Sequence, residues 1–156
     1  MKANIGISEE HSKAVALRLN TILADEYVLY TKIRNCHWNI EGSNFMELHK
    51  FYEEMYGAID EVIDEIAERV RMLGHYAEGR LKDFLQLTAL LEEDYSNDQK
   101  KQLKGLLDDH ETIIRNLRND IDTFGNVYKD SGNADFLTNL MKLHEKWAWF
   151  VRSYLK

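Results

Sequence analysis

Apolar residues return every third or fourth position in four stretches of the chain, the spacing of helices that bury one face. The first stretch carries Val15, Leu19, Ile22, Leu29 and Ile33 behind Ser8, Glu9 and Glu10. That is an N-cap with acidic residues in the first turn, and it predicts a helix to about Asn39. Gly42 breaks it, and Ser43 or Asn44 can cap a second helix. Its seam runs from Phe45 and Leu48 through Tyr52, Met55, Ile59, Val62, Ile66 and Val70 to Leu73, and Gly74 ends it. A third begins near Asn97, holds Leu103, Leu106, Leu107, Ile113, Ile114, Leu117, Ile121 and Phe124, and closes at Gly125 and Asn126. The fourth, capped near Asn133, carries Phe136, Leu137, Leu140, Met141, Trp147, Val151 and Tyr154. Between the pairs, residues 74–96 are less regular and hold one short amphipathic piece, "LKDFLQLTALL".

Two long helices joined by a short turn pack antiparallel, and a connection of roughly twenty residues can run the length of a bundle. The pattern therefore predicts an all-α fold, a four-helix bundle with one long crossover carrying a short helix. Among bundles this is the ferritin-like connectivity. Composition agrees, since the 156 residues are 44% hydrophobic and 30% charged with no proline and 8 glycines. A chain of this length is expected to form one domain, 1–156, burying about 70% of the surface it exposes unfolded.

Charge narrows the function. The net charge is −7, and the basic residues are dispersed. Nucleic acid and anionic membranes are recognised by clustered Lys and Arg, so DNA binding is disfavoured and cations are the better partners. The longest apolar run, "WAWFV" at 147–151, is too short to span a bilayer. One cysteine, Cys36, cannot form an intramolecular disulfide, and "MKANIGISEEHS" has no apolar signal core, so the expected location is the reducing cytoplasm.

The second helix carries the candidate chemistry. At about 100° per residue, with His49 at zero, Glu53 falls near 40°, Asp64 near 60° and Glu68 near 100°, while the apolar seam centres near −90°. These four side chains share a stripe that faces away from the interior of their own bundle. Along the axis, Glu53 and Asp64 are about 16 Å apart at about 1.5 Å per residue, so one metal ion cannot join them within a chain. A second copy laying its own helix antiparallel across a two-fold axis brings His49 and Glu53 of one chain to Asp64 and Glu68 of the other, giving two equivalent sites. His37, in the last turn of the first helix, can reach toward His49. Two imidazoles with three carboxylates suit Fe(II), Mn(II) or Zn(II) better than Ca(II). The intra-bundle di-iron signature, Glu-x-x-His twice per chain, is missing. Spacing alone leaves the alternative of a solvated face, with Arg69 and Arg71 supplying ordinary surface pairs. His11, His75, His110 and His144 read as surface or core-edge residues, and Trp38, Trp147 and Trp149 as packing residues.

The run "HWNIEGSNFMELHKFYEEMYGAIDEVIDEIAERVRMLG", residues 37–74, closely resembles the signature of the Dps family of mini-ferritins, and "HEKWAWFVRSYL" at 144–155 resembles that family's C-terminal helix. The resemblance implies a ferroxidase whose ligands fall at His37, His49 and Glu53 of one subunit and Asp64 and Glu68 of its two-fold mate. Family members carry aspartate or glutamate at the position of Glu53. It also implies a hollow homododecamer that binds Fe(II), oxidises it to Fe(III), preferably with hydrogen peroxide, stores the mineral and protects against oxidative damage. Zinc or manganese are substitutes for iron at such a site. Trp38 matches a tryptophan thought to take up stray oxidising equivalents, with a packed aromatic at the dimer interface as the alternative. Asp130 and Asp135 resemble residues lining the family's three-fold iron-entry pore, against the plainer reading of a cap and a turn. Family members that condense DNA use a mobile basic tail, whereas this chain has Lys2 alone before its first helix. A DNA-compacting protein and a structural helical bundle with a vestigial metal site are the competing readings.

Overall fold

The computed structural model describes residues 3–156 and contains five α-helices: α1 (Glu9–Asn39), α2 (Phe45–Met72), α3 (Leu81–Leu87), α4 (Gln99–Asp122) and α5 (Ser131–Tyr154). Among the described residues no strand forms. Ser8 caps α1 as its sequence predicts, its hydroxyl accepting from the His11 N–H at 3.2 Å. Asn44 occupies the cap position of α2 without a side-chain hydrogen bond. The reversal between these helices depends on Gly42, at φ +115°, where a Cβ would lie 2.8 Å from Gln99 Nε2.

α1 lies against α2, and α4 against α5, each pair antiparallel. At one end of the first pair Ser12 Oγ donates to the Leu73 carbonyl at 3.3 Å, and at the other His37 meets His49. In the second pair Arg118 reaches Glu145 and Arg152 reaches Glu111. The crossover climbs the flank of α1 rung by rung. Asn20 holds the Tyr76 carbonyl and the Glu78 N–H, and the Asp25 carboxylate accepts from Thr88 Oγ1 at 2.8 Å and the Ala89 N–H at 2.7 Å. Lys32 Nζ donates to the Leu91 carbonyl, and Gln99 reaches the Glu41 carbonyl. These side chains satisfy crossover backbone groups that have no helix or sheet partner, which fixes the long connection predicted from chain length.

The core follows the seams read from the sequence, except at their outer ends, where Phe45 and Tyr154 are exposed: Val15, Leu19, Leu29 and Ile33 of α1, Tyr52, Met55, Ile59 and Ile66 of α2, Leu106 and Ile113 of α4, Leu137 and Val151 of α5 are buried. Each such aliphatic side chain contributes about 1.5–3 kcal/mol by leaving water.

Three local expectations need correction. The third helix does not close at Gly125 and Asn126: α4 passes into a π-helical turn, Thr123–Val127, and the reversal comes at Lys129, at φ 57°. The cap of α5 is Asp130, not Asn133. Its carboxylate accepts from the Asn133 N–H at 3.0 Å and from Asn133 Nδ2 at 2.6 Å, so Asn133 is the capped partner. Of the tryptophans only Trp147 packs into the core; Trp38 and Trp149 are about 60% exposed. Positions 147 and 149 are about 200° apart on a helix, so they cannot both face inward.

Candidate metal centre

The α1–α2 turn sets His37 and His49 against each other. Their rings stack with centroids 3.7 Å apart and an interplanar angle of 20°. His37 Nδ1 lies 2.8 Å from the His49 carbonyl oxygen, and His49 Nδ1 lies 2.9 Å from the His37 carbonyl oxygen. A carbonyl only accepts, so both Nδ1 atoms carry the proton and donate, and in each neutral ring the lone pair is left on Nε2. This reciprocal clamp fixes tautomer and ring direction together, which is how a metal-binding imidazole is held.

Aromatic rings close both ends of the stack. Phe45 lies parallel on His49, at 5.0 Å and 27°, and Tyr56 meets His37 edge-on at 5.3 Å and 82°. Behind Tyr56, the Arg34 guanidinium lies over the rings of Tyr30, Tyr56 and Trp38, 5.0 Å from the last. Trp38 is therefore held beside the pair by a cation–π contact, not by burial. Cys36 precedes His37, but burial pushes its thiol up to about 12. It stays protonated at neutral pH and offers no thiolate.

The carboxylates lie where the helical wheel places them. α2 buries Leu48, Tyr52, Met55, Ile59, Val62, Ile66 and Val70, while Glu53, Asp64 and Glu68 are exposed and His49 is half-buried. Within one chain the structure brings together His37 and His49 only. Among the described residues no group of three or more His, Cys, Asp or Glu side chains is gathered closely enough to hold a metal ion. The arginines that could have neutralised the stripe are engaged elsewhere. Arg69 donates to the Gly132 carbonyl and lies over Phe136, and Arg71 donates to the His75 carbonyl and lies over Tyr76.

At the start of α5, Asp130 is 4% exposed with both oxygens engaged by Asn133, whereas Asp135 is open to solvent. Only Asp135 of the two presents a free carboxylate at the surface.

The expected core-edge placement holds for His11 and His75, which are half-buried. It fails for His110 and His144, which are fully buried and hydrogen-bonded to each other through Nδ1 at 2.9 Å. The signal for this was present: His110 continues the seam of Leu103, Leu106 and Leu107 toward Ile113 and Leu117, and His144 lies between Leu140 and Trp147 in the seam of α5.

Helix order, crossover and histidine pair together define a bundle of the ferritin-like class, and a family model described as a ferritin-like domain matches residues 16–156. A low temperature-induced protein of Nostoc sp. is 43% identical over 158 residues, covering 99% of this chain and 87% of the relative. DNA protection during starvation protein 2 of Bacillus anthracis is 31% identical, covering 92% and 98%. The crystal structure of the Dps protein of Vibrio cholerae O1, itself a member of the ferritin-like diiron-carboxylate superfamily, superposes with a TM-score of 0.94 at 30% identity, covering 100% of this chain and 98% of that one. The chain belongs to the Dps family of mini-ferritins. No helix among the described residues is long and apolar enough to cross a membrane.

Proposed function

We propose that residues 1–156 form one ferritin-like unit, the subunit of an iron-sequestering ferroxidase that oxidises Fe(II) to Fe(III) at sites shared between two copies of the chain. The observation that carries this reading is the His37–His49 clamp, in which both Nδ1 protons are committed to carbonyls and both Nε2 atoms remain as donors. Glu53, one turn beyond His49, adds a carboxylate, and Asp64 and Glu68 of the partner subunit complete the shell. His37 and His49 bind the ion as neutral bases, and the three carboxylates hold it by charge. Zn(II) and Mn(II) fit the same donors as substitutes.

Iron is substrate here, and hydrogen peroxide is the proposed oxidant. Two Fe(II) and one peroxide, with two protons, give two Fe(III) and two waters, so both electrons pass together and no hydroxyl radical is released. The mineral is then stored inside a hollow homododecamer in the cytoplasm, and oxidative protection follows from removing both reactants. A net charge of −7 per chain supports cation uptake over DNA compaction. Lys2, the one basic residue ahead of α1, lies outside the described residues.

The test is anaerobic addition of Fe(II) to the purified protein followed by peroxide, recording ferric absorbance and hydroxyl-radical trapping for wild type and for Asp64→Ala with Glu68→Ala. Rapid oxidation with little trapped radical in wild type, slowed at least about 100-fold in the double variant, is the expected result. Wild type behaving like free iron would overturn the reading.

A further inference from the structure

A second polar group runs through the centre of the bundle, away from the candidate metal centre, with one residue from each long helix. Glu26 of α1, His110 of α4 and His144 of α5 have no solvent exposure, nor does Met55 of α2. Glu26 Oε1 lies 2.8 Å from His144 Nε2, His144 Nδ1 lies 2.9 Å from His110 Nδ1, and His110 Nε2 lies 3.4 Å from Met55 Sδ. The chain of contacts joins both hairpins.

The proton positions follow from what each atom can do. A thioether only accepts, so His110 Nε2 carries a proton and donates to Met55. Burial and the neighbouring His144 hold His110 well below the usual histidine range, so the ring is neutral and its Nδ1 is bare. His144 Nδ1 must then donate to it. One proton is left for the contact between His144 Nε2 and Glu26 Oε1, whether it sits on nitrogen or on oxygen. Among the described residues no other group donates to Glu26, whose Oε2 is buried without a partner. Every contact is satisfied by this protonation state. An additional proton on His110 would set two N–H groups against each other across 2.9 Å and leave a net charge in the core, which is costly.

We propose that Glu26, His144, His110 and Met55 form an acid-sensitive latch, which ties the α1–α2 hairpin to the α4–α5 hairpin in one protonation state and loosens when His110 takes up a proton. The charged groups packed nearby point elsewhere. Asp25, beside Glu26, is turned to Thr88 and Ala89 of the crossover; Asp109, beside His110, pairs with Lys32. α2 contributes only the neutral Met55. In the unfolded chain His110 titrates near about 6.5. Below that pH the unfolded or opened state binds a proton that the closed state refuses, so the latch holds fully above about 6.5 and weakens as pH falls, by up to about tenfold in the opening equilibrium per pH unit.

The experiment is hydrogen exchange by mass spectrometry on the assembled protein between pH 7.5 and 5, corrected for intrinsic rates and read on peptides covering 103–117 and 137–151. The comparison is with His110→Gln, whose amide can accept from His144 and donate to Met55 but cannot be protonated. Asp109 titrates alike in both proteins, so the ratio of wild-type to variant protection is the readout, and it is expected to fall by about tenfold per pH unit below about 6.5. The same pH dependence in both proteins would overturn the proposal. Should His110→Gln not fold, exchange at the imidazole Cε1 of wild-type His110 decides. Titration coupled to loss of core protection supports the latch, and titration near 6.5 with the core closed refutes it.

Discussion

Each hairpin of this bundle brings two histidines together across its two helices, and the two pairs have opposite fates. In the first, His37 and His49 each direct Nδ1 at the other's backbone carbonyl across α1 and α2 and keep Nε2 available. In the second, His110 and His144 direct their Nδ1 atoms at each other, and both Nε2 atoms are occupied by Met55 and Glu26. Imidazole chemistry is identical in the two places. What differs is which nitrogen is engaged and whether the remaining one meets an open surface or a closed core, and this separates a ligand from a strut.

The comparison breaks most sharply at Glu26. Glu26→Leu leaves a buried imidazole without its carboxyl partner and is expected to cost about 3–5 kcal/mol of stability, read from urea unfolding followed by circular dichroism. Iron binding by the folded fraction should be unchanged. His49→Ala should do the reverse. Fe(II) affinity falls at least about 100-fold in anaerobic titration, given that losing even an outer partner of a metal ligand costs about 10–100-fold, and unfolding shifts by about 1 kcal/mol.

Asp109 sharpens the comparison from the other side. Burial, opposed by Lys32, raises its carboxyl to about 6. Folded protein therefore holds this proton more tightly than unfolded chain, so stability from this group rises as pH falls from about 6 toward 4, opposite in sign to His110. Asp109→Asn should remove that gain, up to about 1.4 kcal/mol per pH unit, in unfolding measured across pH 4–7. The smallest effect expected is at Ser8, away from both pairs, where Ser8→Ala removes the α1 cap at about 1 kcal/mol with no change in iron oxidation rate or in the pH profile.

Much of this was legible from the chain. The seams located all four long helices, the chain length of the crossover gave its path, and the wheel placed Glu53, Asp64 and Glu68 on the outer face of α2. Other features were not legible. His110 and His144 lie in apolar seams, yet a polar residue in a seam is buried only if something satisfies it, and beyond each other their partners come from two other helices, Met55 of α2 and Glu26 of α1. The exposure of Trp38 was hidden for a similar reason, since its contact with Arg34 uses a face of α1 that the apolar period does not mark.

By itself the sequence determined the periodicity, the connectivity and the residue types on one stripe, because these depend on spacing along a single helix and on how far a connection can reach. Tertiary structure alone decided the protonation sites. Whether a histidine offers Nε2 or gives it up depends on which acceptor lies about 3 Å away, and that acceptor is supplied by a neighbouring helix whose register no single helix encodes.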